Sequence, residues 1–216
     1  MLALSRTSAT VFMIKGVYAI TPDEPDTDLL LAKVEAALHG GIKVLQYRNK
    51  PASYQLQTQQ AQAILPLCRQ HQVPFIINDS IKLCLALDAD GLHLGADDGN
   101  LSEARTLLGP NKILGASCYN RFDLAEQAQQ AGANYVAFGA CFASSTKPHA
   151  PVADLDLFRR ANVKLHIPTV AIGGITLENA AQVIASGASS IAIINAIFNA
   201  DDVKFSTQQF SKLFQS

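Results

Sequence analysis

The segment Gln46-Tyr47-Arg48-Asn49-Lys50 sets an amide and two cations on alternate positions, and in an extended chain such positions share one side. A guanidinium fork beside a mobile ammonium suits a phosphate or diphosphate. Taken alone, a basic pair is an ordinary solvated strand exit. Acid at two other places changes the weighing. Phe75-Ile76-Ile77 ends abruptly in Asn78-Asp79, and a carboxylate closing so apolar a run needs a partner. Gly91-Leu92-His93-Leu94-Gly95 leads into Asp97-Asp98, where the plain alternative is a turn or a helix cap. Carboxylates from two segments facing cations from a third are the donor set of a magnesium-bound diphosphate, with hard oxygen ligands for the metal and basic groups for the phosphate oxygens. His93, inside an apolar run, reads as a hydrogen-bonded core histidine rather than a ligand.

Three further segments carry groups that can bind anions. Ser144-Ser145-Thr146-Lys147-Pro148 offers hydroxyls and a lysine on a long loop, the makings of an anion clamp, a lid or simply a polar surface. Ala171-Ile172-Gly173-Gly174-Ile175 and Ile194-Asn195-Ala196 pair glycines with helix starts, where backbone N–H groups are free for a second phosphate.

These segments need a scaffold that collects them, and the sequence supplies a repeat. Eight short β-branched runs, residues 17–21, 43–48, 74–79, 91–95, 113–118, 135–139, 168–173 and 189–195, are each bounded by Gly, Pro, Asn or Asp. Most are apolar at successive positions, as strands covered on both faces should be. Between them lie segments of helical period, including residues 28–39, 54–71, 123–131 and 177–186. The expectation is an α/β protein, a single-domain (β/α)8 TIM barrel. Its reactive groups then project from the C-terminal strand ends, and phosphate binds after strands seven and eight. Residues 1–15 read as an N-terminal extension and 16–216 as the barrel domain.

Composition fits one large core: 49% of the 216 residues are hydrophobic and no linker-like stretch divides them. With Lys+Arg 17 against Asp+Glu 18, no global field favours nucleic acid or an anionic membrane, so anion binding is local. Cys68, Cys84, Cys118 and Cys141 form no Cys-x-x-Cys pair and read as buried thiols. No run reaches the ~20 apolar residues of a membrane span, and residues 11–14 are too short for a signal-peptide core. A cytoplasmic location is expected. The Asn78-Asp79-Ser80 triplet matches a glycosylation pattern by coincidence.

Together the segments 46–50, 78–79, 90–98, 115–117, 144–147 and 171–175, in this order and spacing from about Gly16 to Phe198, resemble the thiamine phosphate synthase family. The resemblance implies coupling of hydroxymethylpyrimidine diphosphate with a thiazole phosphate, with Mg2+ as cofactor. It also implies roles. Gln46, Arg48 and Lys50 would hold the diphosphate, with Asn78 and Ser117 completing that pocket. Asp79 and Asp98 would bind magnesium. Lys147 would close over the diphosphate, while Ser144, Thr146, Gly174, Ile194 and Asn195 would bind the thiazole phosphate. Arg48, Lys50 and Lys147 are the expected catalytic groups. Asn49, Ser144, Asn195 and Tyr119 depart from the family pattern, and each of the first three still offers a hydrogen bond, which implies altered affinity rather than lost activity. Expected partners are these small molecules, with no nucleic acid and no membrane; homo-oligomerisation is left open by the sequence. Rival readings are a thiazole tautomerase-like barrel, a catalytically silent barrel that binds thiamine precursors and another phosphate-handling barrel such as an isomerase of amino-acid biosynthesis.

Overall fold

The computed structural model describes residues 14–95, 98–143 and 154–215. Eight parallel strands close into a barrel in sequence order: β1 (Gly16–Ile20), β2 (Val44–Tyr47), β3 (Phe75–Asn78), β4 (Gly91–Leu94), β5 (Ile113–Tyr119), β6 (Tyr135–Phe138), β7 (Thr169–Ile172) and β8 (Ser190–Ile193). β8 pairs back onto β1, with Val17 opposite Ile191. The helices described around it are α1 (Thr27–His39), α2 (Tyr54–Gln70), α3 (Ile81–Ala86), α4 (Leu101–Leu108), α5 (Phe122–Gln130), α6 (Asp156–Lys164), α7 (Leu177–Ala185), α8 (Asn195–Phe198) and α9 (Val203–Lys212). The expected (β/α)8 barrel is the observed fold, and the eight strands fall within the eight runs to within a residue or two.

Side-chain alternation divides the core in two. Tyr18, Ile20, Val44, Ile76, Ile113, Tyr135, Ala137, Val170 and Ala192 fill the barrel interior together with Ile14. Their strand neighbours, such as Val17, Ala19, Leu45, Phe75, Leu92, Leu114, Val136, Phe138 and Ile191, face outward and pack with Leu30, Val34, Ile64, Leu83, Phe158 and Phe210 from the helix layer. Both faces of each strand are therefore buried, which explains runs that are apolar at successive positions.

Local chemistry fixes where the helices begin. Asp26, Ser53, Ser80, Asn100 and Asp202 each accept a backbone N–H at the start of the helix that follows. Two glycines inside the barrel make room rather than turns. A Cβ on Gly115 would stand 2.1 Å from the Tyr135 ring, and one on Gly91 would stand 2.4 Å from the Ile113 carbonyl oxygen. The missing side chain of Gly115 is what lets the Tyr135 phenol lie across β5 toward β4.

Candidate active site at the C-terminal rim

The site is assembled from the ends of the first five strands. Thr21, fully buried after β1, clamps the exit of β2: its hydroxyl donates to the Arg48 carbonyl and accepts the Arg48 N–H, both at 2.8 Å. Asp23 then accepts the Arg48 guanidinium at 2.9 Å and the Lys50 backbone N–H at 3.0 Å. Asn49 is buried, and its amide donates to the Glu24 carbonyl at 2.9 Å and to Gln60 Oε1 at 3.0 Å. Gln60 Oε1 also accepts the Tyr47 hydroxyl at 2.9 Å. The loop that carries both cations is thus tied to β1 on one side and α2 on the other.

The three residues read as sharing one side do not act as one face. β2 ends at Tyr47, ahead of Arg48 and Lys50. Gln46 turns into the barrel, where its amide donates to the Tyr18 hydroxyl at 2.9 Å. Arg48 reaches Asp23 at the end of β1, and Lys50 reaches Asp79 at the end of β3, with Nζ 2.9 Å from Oδ2. Strand alternation holds only while the chain is extended, and the turn beginning at residue 50 ends it.

The acidic half of the rim lies beside Lys50. Asp79 adopts a left-handed backbone, φ 59°, and its N–H donates to the His93 carbonyl at 2.9 Å. Asn78 donates its amide to Asp79 Oδ2 at 2.7 Å. Asp98 folds back over the end of β4: its N–H donates to the Gly95 carbonyl, and a Cβ on Gly95 would meet Asp98 Oδ2 at 2.2 Å. The hydrogen bond that Lys50 donates to Asp79, then the charges of Asp79 and Asp98, raise the Lys50 ammonium above its ordinary range, while burial and the neighbouring Arg48 oppose them. Lys50 is therefore paired with Asp79 and lies within the field of Asp98 and Arg48.

Below this rim the barrel is polar but closed. Tyr18 and Tyr135 hydroxyls are 2.7 Å apart, Tyr135 Oη is 2.9 Å from His93 Nδ1, and His93 Nε2 is 2.9 Å from Ser117 Oγ. His93 is the hydrogen-bonded core histidine its setting suggested. Burial pushes it down to about 4, against a smaller opposing pull from Asp98, so its ring is neutral at pH 7. Burial also raises both phenols far above their ordinary range.

On the opposite side, the segment after β6 is laid along the end of β7. Cys141 and Phe142 donate their N–H groups to the carbonyls of Ile172 and Gly173 at 2.9 and 3.0 Å. Gly174 has φ 63°, and a Cβ there would meet the Ala143 and Phe142 carbonyl oxygens at 2.6 and 2.7 Å, so only glycine fits. Asn179 and Thr176 form a capping box at the start of α7, and Asn179 also donates to the Gly174 carbonyl at 2.9 Å. Ile194 precedes α8, a single short turn opening at Asn195 directly after β8. Ser144, Thr146 and Lys147, and also Asp97, lie outside the described residues; Ala143, described, lies beside Gly174. Cys68 and Cys118 are pushed up to about 12, and Cys84 and Cys141 to about 11, chiefly by burial, so none is a ready nucleophile.

Asp23, Thr21, Gln60, Tyr18 and Tyr135 support the site without having been singled out in the sequence. Thr21-Pro22-Asp23 does follow a strand-like run, so a charged strand end was legible there.

A closed parallel barrel with cations and carboxylates at its C-terminal rim, and glycines directly after β7, defines a (β/α)8 protein. The family model described as thiamine monophosphate synthase matches residues 17–197, and the chain belongs to that family. It is 57% identical over 201 residues to a thiamine-phosphate synthase from Methylobacillus flagellatus, covering 93% of this chain and 96% of that one. A thiamine-phosphate synthase from Aromatoleum aromaticum is 52% identical over 203 residues, covering 94% and 98%. Among solved structures, thiamine phosphate pyrophosphorylase from Pyrococcus furiosus superposes with a TM-score of 0.83 at 33% identity, covering 93% of this chain and 95% of that chain. Likeness to 3-hexulose-6-phosphate synthase, TM-score 0.67 at 17% identity, concerns the barrel alone.

Proposed function

We propose that this chain is a transferase that couples hydroxymethylpyrimidine diphosphate to a thiazole phosphate, forming thiamine phosphate and releasing diphosphate. The observation that carries the reading is the Arg48, Lys50, Asp79 and Asp98 cluster at one mouth, in a chain whose relatives at 42–57% identity are thiamine-phosphate synthases. A reaction limited by charge on a leaving group and by the alignment of two partners asks for anchored charges of this kind.

In this reading Arg48 and Lys50 take the diphosphate oxygens. Each is held in the resting protein by a carboxylate, Asp23 or Asp79, so the cations are pre-positioned before an anion arrives. Asn78 and Ser117 would complete the same pocket, with Gln46 behind them on the barrel wall. Lys147 closes over the diphosphate, and Ser144 and Thr146 join Gly174, Ile194 and Asn195 around the thiazole phosphate.

The donor set fits Mg2+. Asp79 and Asp98 come from adjacent strand ends and share the field of Lys50, and magnesium characteristically takes one or two carboxylates together with substrate phosphates. Among the described residues no group of three or more His, Cys, Asp or Glu side chains comes together as a metal site. Bound there, the ion would neutralise charge developing on the departing diphosphate. A cytoplasmic location accords with four free, buried cysteines. Among the described residues no helix is long and apolar enough to cross a membrane.

The test supplies both substrates with and without Mg2+ and measures thiamine phosphate and diphosphate together. Equal, magnesium-dependent release of the two is expected. Rearrangement of a thiazole phosphate with no diphosphate released would point to a tautomerase instead, and binding without turnover to a silent barrel.

A further inference from the structure

The polar chain inside the barrel has a direction. Four hydrogen bonds run from Gln46 through Tyr18, Tyr135 and His93 to Ser117, drawing on β2, β1, β6, β4 and β5 in turn. Each bond uses one proton. Gln46 brings one of its two amide protons to Tyr18, and four more are available: one on each phenol, one on the neutral His93 ring and one on Ser117.

The Gln46 amide faces Tyr18 with Nε2, and an amide nitrogen only donates, so this orientation sets the first step. Tyr18 then donates to Tyr135, Tyr135 donates to His93 Nδ1, and His93 carries its single proton on Nε2 and donates to Ser117. The spare proton is the hydroxyl of Ser117, the one member that is partly exposed rather than sealed in. In the opposite arrangement Ser117 donates to Nε2 and His93 donates from Nδ1 to Tyr135. One phenol proton is then left over. Tyr18 is 1% and Tyr135 0% exposed, and among the described residues neither hydroxyl has a further partner, so that proton would be buried without an acceptor.

We propose that the buried chain from Gln46 to Ser117 locks His93 in the Nε2–H tautomer and thereby makes Ser117 an obligate hydrogen-bond donor toward the mouth, with Tyr18, Tyr135 and His93 as positioning residues. Only the value of that donor to a bound pyrimidine diphosphate rests on the reading under Proposed function. The rule for ligands follows: an acceptor facing Ser117, such as a ring nitrogen or a phosphate oxygen, takes the spare hydroxyl proton and is favoured over a donor, which could use only the second lone pair of that oxygen.

The tautomer is read by long-range proton–nitrogen correlation on 15N-histidine-labelled protein near pH 7, with His93 assigned by its absence in His93→Gln. A protonated Nε2 and a pyridine-type Nδ1 are expected, in at least about tenfold excess over the other form. A protonated Nδ1 would overturn the proposal, as would a ring protonated on both nitrogens. Tyr135→Phe removes the donor to Nδ1, and the His93 signals should move toward the average of the two tautomers; unchanged signals would also overturn it. If no thiamine phosphate is formed but the resting protein shows Nε2–H, the functional reading fails while the proton order stands. A double-mutant cycle tests the link to Ser117. Tyr135→Phe should weaken pyrimidine diphosphate binding about tenfold in the wild-type background and little further in Ser117→Ala. Simple additivity would mean that Tyr135 does not act through Ser117.

Discussion

Lys50 Nζ and Asp79 Oδ2, 2.9 Å apart, join the ends of β2 and β3 and bring into contact the two charges that a metal-bound diphosphate needs on opposite sides. The pair is half exposed on the lysine side, so its worth as a salt bridge is small. Its consequence is positional. Lys50→Ala should lower turnover about a hundredfold, on the scale of losing one charge-stabilising donor, with little change in melting temperature. Arg48→Ala should do the same. Steady-state rates within a few-fold of wild type in both variants would remove these cations from the mechanism.

Asp79→Asn keeps the size and much of the hydrogen bonding of Asp79 but removes a hard anionic oxygen. Activity should then require a higher magnesium concentration, visible as a shifted metal titration at saturating substrates. A titration that superposes on wild type would locate the metal ligands elsewhere.

The barrel was legible because its physics is periodic. Both strand faces are buried, so runs such as Phe75-Ile76-Ile77 are continuously apolar, and α1, α2, α5 and α7 keep the helical period that their packing requires. The rim positions followed from that count, since Arg48, Asp79 and Asp98 stand just past strand ends. Partner identity was not legible. Arg48 meets Asp23 25 residues away, Tyr18 meets Tyr135 117 residues away, and periodicity names a face without naming what faces it. The same limit explains Gln46: its spacing with Arg48 and Lys50 was read correctly, but the strand ended between them.

Asn49, one of the departures from the family pattern, has work of its own in the structure. Its amide bridges the Glu24 carbonyl and Gln60 Oε1 in a buried setting. Asn49→Ala should leave Gln60 under-satisfied and loosen the loop holding Arg48 and Lys50. A stability loss of about 1–3 kcal/mol is expected, together with a raised KM for the diphosphate substrate. Denaturant titration and initial rates measure the two effects. A destabilised variant with unchanged KM would separate the clamp from substrate binding.

Gly115 leaves the space that the Tyr135 ring occupies, with a built Cβ 2.1 Å from Cζ. Gly115→Ala must displace that ring or the backbone of β5, and overpacking of this kind costs about 1–3 kcal/mol. The lowered melting temperature should be partly rescued by Tyr135→Leu, which trims the atoms in conflict. An unchanged melting temperature for the single variant would mean that Tyr135 has room to move aside.

His93 also writes a pH dependence into stability. Burial holds its folded-state value at about 4, below the ordinary 6.5 of an unfolded histidine. Between those values the unfolded chain binds the extra proton and the folded chain does not, so stability falls as pH drops below about 6.5 and this contribution is exhausted below about 4. From pH 7 to pH 5 the loss attributable to His93 is about 2 kcal/mol. Carboxylates titrate lower in the same range, so the informative quantity is the difference between wild type and His93→Gln. Urea unfolding at pH 7 and pH 5 should show a smaller pH-dependent loss in the variant than in the wild type. If both lose the same amount, His93 is protonated in the folded barrel at pH 5, and the neutral ring required by its bonds to Tyr135 and Ser117 is absent there.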